Sequence, residues 1–184
     1  MSGDILFDQH GWYALAKRIV SPNFNQRPDV DDISLLVIHC ISLPRGNYNG
    51  DCVEKFFINR LDVSIDPSLI DLENSKVSAH FYIRRDGRII QFVSIYDRAW
   101  HAGVSCYRGR DNCNDYAIGI ELEGVDDDRF ETQQYQTLTA LTLALSERFP
   151  RLSDHIVGHS DIAPGRKTDP GSGFDWRRYR EEFK

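Results

Sequence analysis

Five of the six histidines in this chain, His39, His80, His101, His155 and His159, fall at or beside the ends of stretches that read as β-strands, with acids nearby. The sixth, His10, lies in a polar leader. One histidine at a strand end is usually a hydrogen-bonded core residue; five with neighbouring carboxylates point to a metal or proton-transfer centre. His39 ends an apolar run and opens onto residues 43–50, which contain Pro and Gly, and strand ends feeding loops are where sites are built. Residues 158–171 (GHSDIAPGRKTDPG) gather His159, Asp161, Arg166, Lys167 and Asp169 among two prolines and three glycines. A loop this rich in turn residues can hold several polar groups in fixed directions. A catalytic zinc takes three protein ligands with N or O donors and keeps one position open. His39, His159 and Asp169 could supply two imidazoles and a carboxylate, although residue types and spacing alone leave this open. His155 and His159, at i and i+4, would share a face only on a helix, and Gly158 with its β-branched neighbours argues against one there.

Hydrolytic chemistry at such a centre also needs a proton acceptor. Residues 117–123 (AIGIELE) alternate, with Ile118, Ile120 and Leu122 on one face and Ala117, Gly119, Glu121 and Glu123 on the other. The second face sets two carboxylates beside residues with almost no side chain, which leaves room for something to lie against it. By itself Glu121 reads equally well as a solvated residue on the open face of an edge strand. Glu123 reads as structural or supporting, and Lys167 alone as a surface lysine.

The elements that must position these groups follow from period and punctuation. Residues 34–41 (SLLVIHCI) form a short apolar run with the Val and Ile content of a buried strand. A loop over 43–50, a short helix over 52–59 and a long irregular loop over 62–76 follow. Residues 78–85 and 88–94 read as strands joined in a hairpin at Asp86-Gly87. The main helix spans 132–149, where Tyr135, Leu138, Leu141, Leu145 and Phe149 recur at helical spacing and Pro150 stops the run. Residues 155–159 read as a short edge or parallel strand, and 175–183 as a short helix with Asp175 as N-cap. The expected fold is α/β: a single domain over 1–184 with a central mixed sheet flanked by helices.

Composition fits one globular domain: 184 residues, 41% hydrophobic and 27% charged. Twenty-two basic against 28 acidic residues give a net charge of −6, which argues against a duplex nucleic-acid binder. Local cations could still receive an anionic substrate. No window has the roughly 18 apolar residues of a membrane span, and residues 1–11 (MSGDILFDQHG) lack a basic region and apolar core of the signal-peptide kind. The four cysteines, Cys40, Cys52, Cys106 and Cys113, contain no C-x-x-C pair. They read as reduced, mostly buried thiols in a cytoplasmic protein, not as zinc ligands.

Five blocks occur in order: LLVIHCISLP, SAHFYIRRDG, RAWHAGVSCY, NDYAIGIELEG and GHSDIAPGRKTDPG. Together they resemble the zinc-dependent N-acetylmuramoyl-L-alanine amidases, a superfamily that includes the peptidoglycan recognition proteins. The similarity is greatest to the AmpD type, cytosolic enzymes that act on 1,6-anhydromuropeptides in peptidoglycan recycling. The likeness places the amidase core at 34–172. It implies a zinc site in a groove at the edge of the sheet, with one Zn2+ per chain held by His39, His159 and Asp169. It implies Glu121 as proton acceptor and Lys167 as stabiliser of the transition state. It further implies hydrolysis of the amide between the lactyl group of N-acetylmuramic acid and L-alanine, and through this an influence on β-lactamase induction.

Under that resemblance Trp100 and His101 read as groove-lining groups, Trp offering a flat face to a sugar ring, with a buried core Trp as the alternative. Tyr48 and Arg110 are further candidates for substrate contact, and His80 and His155 read as structural groups or partners to a ligand's second nitrogen. The partner implied is a small muropeptide, with no nucleic acid, membrane or obligatory protein partner. The chain departs from the family pattern at Cys40, where Asn usually follows the first ligand. It departs again at Asp66-Pro67-Ser68-Leu69, where a His-Pro-Tyr-Phe stretch is usual. Two other readings stand beside it: a recognition module that has lost catalysis, which a missing ligand, Glu or Lys would favour, and an exported lytic amidase, which a leader or wall-binding repeat would favour.

Overall fold

A computed structural model describes residues 6–183. Its strands are β1 (Lys17–Arg18), β2 (Phe24–Gln26), β3 (Leu35–Ile41), β4 (Phe81–Ile83), β5 (Ile89–Gln91), β6 (Asp97–Ala99), β7 (Cys106–Tyr107), β8 (Arg110–Asp111), β9 (Ala117–Glu123) and β10 (Ile156–Gly158). The helices are α1 (Cys52–Phe57), α2 (Thr132–Arg148), α3 (His159–Ile162) and α4 (Trp176–Phe183). The first five positions of the leader read over 1–11 lie outside the described residues.

The main sheet has six strands in the order β1-β5-β4-β9-β3-β10. Only the β4–β5 hairpin is antiparallel; β9, β3 and β10 run parallel side by side. β9 is buried along its whole length between β4 and β3. One sheet face carries Leu36, Ile38, Ile118, Ile120 and Leu122 and packs on α2 through Tyr135, Leu138, Leu141 and Leu145, with Tyr179 of α4 beneath. Burying each of these large side chains contributes roughly 1.5–3 kcal/mol. The other face carries Leu35, Val37 and Ala117, packed with Ala102, Cys113, Tyr116 and Ile162. Toward the hairpin, a further cluster joins Tyr82 and Ile90 to Val53, Phe56 and Phe57 of α1.

Most expected elements are present within a residue or two. The stretch 62–76 is more ordered than expected: the Asp62 and Asp66 side chains accept from Ser64 and Ser68 backbone N–H groups and start two short 3-10 turns. Asp175 caps α4 by accepting from the Arg178 N–H at 2.9 Å. The cysteines correct one expectation. All four are free, but only Cys113 is buried; Cys40 and Cys52 are half-buried and Cys106 is exposed on its hairpin. Among the described residues, no helix is long and apolar enough to cross a membrane.

Candidate active site

Near the carboxyl end of β3, His39 lies on the face away from α2, and its register neighbour on β9 is Glu121. β10 runs parallel on the other side of β3, and His159 follows it directly as the first residue of α3. The loop after α3 then returns Asp169 to the same place. Sites in open α/β sheets collect at the carboxyl ends of parallel strands, and this one does too.

His39 Nδ1 lies 3.0 Å from His159 Nδ1, and each lies 3.1 Å from Asp169 Oδ2. The outer ring nitrogens fix the tautomers. His159 Nε2 faces the Ala102 carbonyl at 3.1 Å, which can only accept, so this nitrogen carries the hydrogen and Nδ1 presents a lone pair. His39 Nε2 faces His101 Nδ1 at 2.9 Å. With the His39 hydrogen on Nε2, all three inward atoms are acceptors. Three lone pairs at this separation repel unless a cation sits among them. Ligands on a tetrahedral ion with bonds of about 2.0–2.2 Å stand roughly 3.3–3.6 Å apart, so the triangle needs only slight expansion. The donor set, two imidazoles and a carboxylate, is one zinc accepts. Among the described residues, these three are the group of His, Cys, Asp or Glu side chains placed to share an ion.

Electrostatics support the same arrangement. Burial pushes His39 down to about 4, against the charge of Asp169, so it is neutral at pH 7 as a metal ligand must be. Burial would raise Asp169, but the His159 and His39 rings that face it hold its carboxyl well below the usual range. Glu121 is buried at 9% exposure, which overturns the reading of it as a solvated residue on an open edge. Among the described residues its Oε2 has no hydrogen-bond partner. Burial first, and the charge of Asp169 second, push its pKa well up, while Lys167 opposes them.

A cleft of about 290 Å³ adjoins the cluster, lined by Cys40, Arg45, Arg166, Lys167, Thr168 and Asp169 among others. Larger hollows of 640 and 470 Å³ lie elsewhere and include none of the three clustered residues. Lys167 is exposed at the rim of the cleft. His101 is buried behind His39, at 8% exposure, where it faces the ligand. Trp100 is half-buried and donates its indole N–H to Asn25. Tyr48 hydrogen-bonds Asp128 under the Arg85 guanidinium. Arg110 pairs with Asp32 and stacks on Tyr116. Contacts draw neither Tyr48 nor Arg110 to the cluster.

Of the groups behind the cluster, sequence reasoning named His80 as structural or supporting and missed Arg27 and Asn114. His80 Nδ1 accepts from the Gly119 N–H at 3.0 Å, and its Nε2 faces the Asp97 carbonyl at 3.0 Å. The buried Arg27 donates to the carbonyls of Asn114, Asp115 and Ala117. Gly119 is the one visible signal. A Cβ there would stand 2.5 Å from the His101 ring, so the small residue noted in the strand is what admits the imidazole. Glu123 is structural: its carboxylate accepts from the Asn49 and Arg85 backbone N–H groups and so ties residues 43–50 to the hairpin.

A mixed sheet with a His, His, Asp cluster at the ends of its parallel strands, and a buried carboxyl one strand away, defines a domain with one candidate metal site. The chain belongs to the N-acetylmuramoyl-L-alanine amidase family, whose profile matches residues 29–172. It is 49% identical over 176 residues to the 1,6-anhydro-N-acetylmuramyl-L-alanine amidase AmpD of Citrobacter freundii, covering 96% of this chain and 94% of that one. A crystal structure of a selenomethionine AmpD derivative superposes with a TM-score of 0.95 at 48% identity, covering 97% of this chain and 99% of that one. The N-acetylmuramyl-L-alanine amidase AmiD of E. coli was solved with anhydro-N-acetylmuramic acid-L-Ala-D-gamma-Glu-L-Lys as substrate. It superposes with a TM-score of 0.60 at 29% identity, covering 96% of this chain and 65% of that one.

Proposed function

We propose that this chain is a zinc-dependent 1,6-anhydro-N-acetylmuramyl-L-alanine amidase of cytosolic peptidoglycan recycling, bearing through that role on β-lactamase induction. The observation that carries the reading is the triangle of His39, His159 and Asp169, with Glu121 buried one strand away. Near-full-length likeness to AmpD amidases supports the substrate class.

His39, His159 and Asp169 would hold the ion. Bound there, zinc supplies a water of lowered pKa, near 7, and polarises the scissile carbonyl. Burial raises the proton affinity of Glu121, so its ionised carboxylate can take the proton of the attacking water and deliver it to the leaving amine. The water oxygen bonds to the lactyl carbonyl carbon, the carbon–nitrogen bond breaks, and the proton leaves on the L-alanine nitrogen. Lys167 at the cleft rim places an ammonium beside the developing oxyanion.

Anhydromuropeptide and the precursor UDP-muramyl peptide share the scissile bond and differ at the sugar end. A cleft wall that clashes with the bulky diphosphate rejects the wrong substrate more strongly than one lost contact would. The expected kcat/KM is at least about 100-fold higher for the anhydro form, or roughly 2.7 kcal/mol. Competition between the two at equal concentration tests this; comparable turnover would sink the recycling assignment.

A further inference from the structure

One short segment, His101–Ala102, backs both imidazoles of the candidate metal centre. His101 Nδ1 meets His39 Nε2 at 2.9 Å, and the Ala102 carbonyl meets His159 Nε2 at 3.1 Å. The ligands are 120 residues apart in sequence, yet their outer partners are consecutive. Two side chains hold the segment: Arg166 donates to the Ala102 carbonyl at 2.7 Å, and Asn114 alone takes both of its N–H groups. Asn114 Oδ1 accepts from the His101 N–H at 3.0 Å and the Ala102 N–H at 2.8 Å.

We propose that Asn114 is a positioning residue for the metal centre, a buried clamp whose amide oxygen sets the orientation of both histidine ligands at once. It rests on the zinc reading above. Asn114 is 6% exposed and sits in a short turn at the foot of the β7–β8 hairpin. The hairpin brings the chain back from Ala102 to Asn114. Ser105 pins its base: its carbonyl accepts from the Asn112 N–H, and its hydroxyl from the Cys113 N–H. Arg27 secures the turn by donating to the Asn114 carbonyl.

The amide is needed because packing alone does not fix the hydrogen bond that the His101 ring offers His39. Among the described residues its Nε2 has no hydrogen-bond partner, and the ring lies flush against Gly119, where a Cβ would not fit. If His101–Ala102 drifts by a few tenths of an ångström, His39 loses the acceptor that keeps its hydrogen on Nε2. His159 loses its acceptor in the same movement. Both Nδ1 lone pairs then cease to converge. Outer partners of metal ligands typically account for about 10–100-fold in affinity, and here one residue governs two of them.

The test is zinc affinity, measured by competition with a chromophoric chelator on the full chain, with folding followed by circular dichroism. Asn114→Leu removes the acceptor and should weaken zinc binding about 10–100-fold. Asn114→Asp keeps an oxygen that accepts both N–H groups and should stay within a few-fold of wild type. Equal affinities for wild type and Asn114→Leu would overturn the proposal, as would equal losses in the Leu and Asp variants. If Asn114→Leu does not fold, His101→Asn and His101→Leu decide. The Asn oxygen takes the place of Nδ1 and should restore affinity that Leu loses, and no difference between them overturns the clamp. A wild-type chain that takes up no zinc fails the underlying reading; one that binds zinc regardless of these changes fails this inference alone.

Discussion

Asp169 is unremarkable in sequence, one acid in a charged loop. It becomes distinctive because two imidazoles turn the same nitrogen toward it. Asp169→Ala should therefore cut the zinc content of purified protein from about one equivalent per chain to almost none, measured by elemental analysis, since two imidazoles seldom suffice. Glu121→Gln keeps shape and removes the base. Zinc should stay while kcat falls roughly 10²–10⁴-fold; loss of zinc would make Glu121 a ligand instead. Lys167→Met should lower kcat more than it raises KM.

His80 gives a separate, pH-based expectation. Burial, and then the Arg27 charge, hold its pKa well below 6.5 in the folded chain. The unfolded chain thus binds the extra proton first. The stability contributed by neutral His80 is complete above about pH 6.5 and is lost as pH falls toward the folded value, at up to about 1.4 kcal/mol per pH unit. The melting temperature should drop on acidification below pH 6.5, and His80→Gln should flatten that drop. An unchanged slope would mean other groups carry the acid sensitivity. The ligand and catalytic candidates were legible as residue types and through resemblance. His80 was legible as a supporting group, but the roles of His101 and Asn114 were not, because a supporting hydrogen bond is written in which atoms meet, not in spacing along the chain.

Among elements, the strands were legible wherever the sequence was apolar and short, as in 34–41, or alternated, as in 117–123. What could not be read was register. The pairing of His39 with Glu121 depends on how β3 lies on β9, and a slip of one residue would send Glu121 to the α2 face. Nor could burial of β9 be read: β4 and β3 flank it, which makes it a central strand, and His101 with Ala102, Cys113 and Ile162 packs against the face expected to be open. Gly119 tests this packing. Gly119→Ala should cost roughly 1–3 kcal/mol in urea unfolding through overpacking, because the new Cβ would lie 2.5 Å from the His101 ring. It should also weaken zinc binding by displacing that ring. Wild-type stability together with wild-type zinc affinity would show that the ring can move freely.

For the whole molecule, length and charge pointed to one acidic domain, with a net charge of −6 that argues against a duplex nucleic-acid binder. The cleft shows why net charge is a coarse guide. Arg45, Arg166 and Lys167 line it within a chain of charge −6. Arg45 is paired with Asp126 and Asp127, and Arg166 is spent on the Ala102 and Val104 carbonyls. That leaves Lys167, for which no ion pair forms among the described residues, as the cation available to a reacting group. The fold joins these parts across long stretches of chain: His39 and Asp169 are 130 residues apart and touch.

The most direct test of the zinc amidase reading is mass spectrometry of the products formed from 1,6-anhydro-N-acetylmuramyl-peptide. The expected result is addition of one water across the lactyl–L-alanine amide, releasing anhydromuramic acid and the intact stem peptide. This cleavage should be lost after exhaustive chelation and restored by one equivalent of zinc. Cleavage at any other bond, or full activity in the chelated protein, would contradict it.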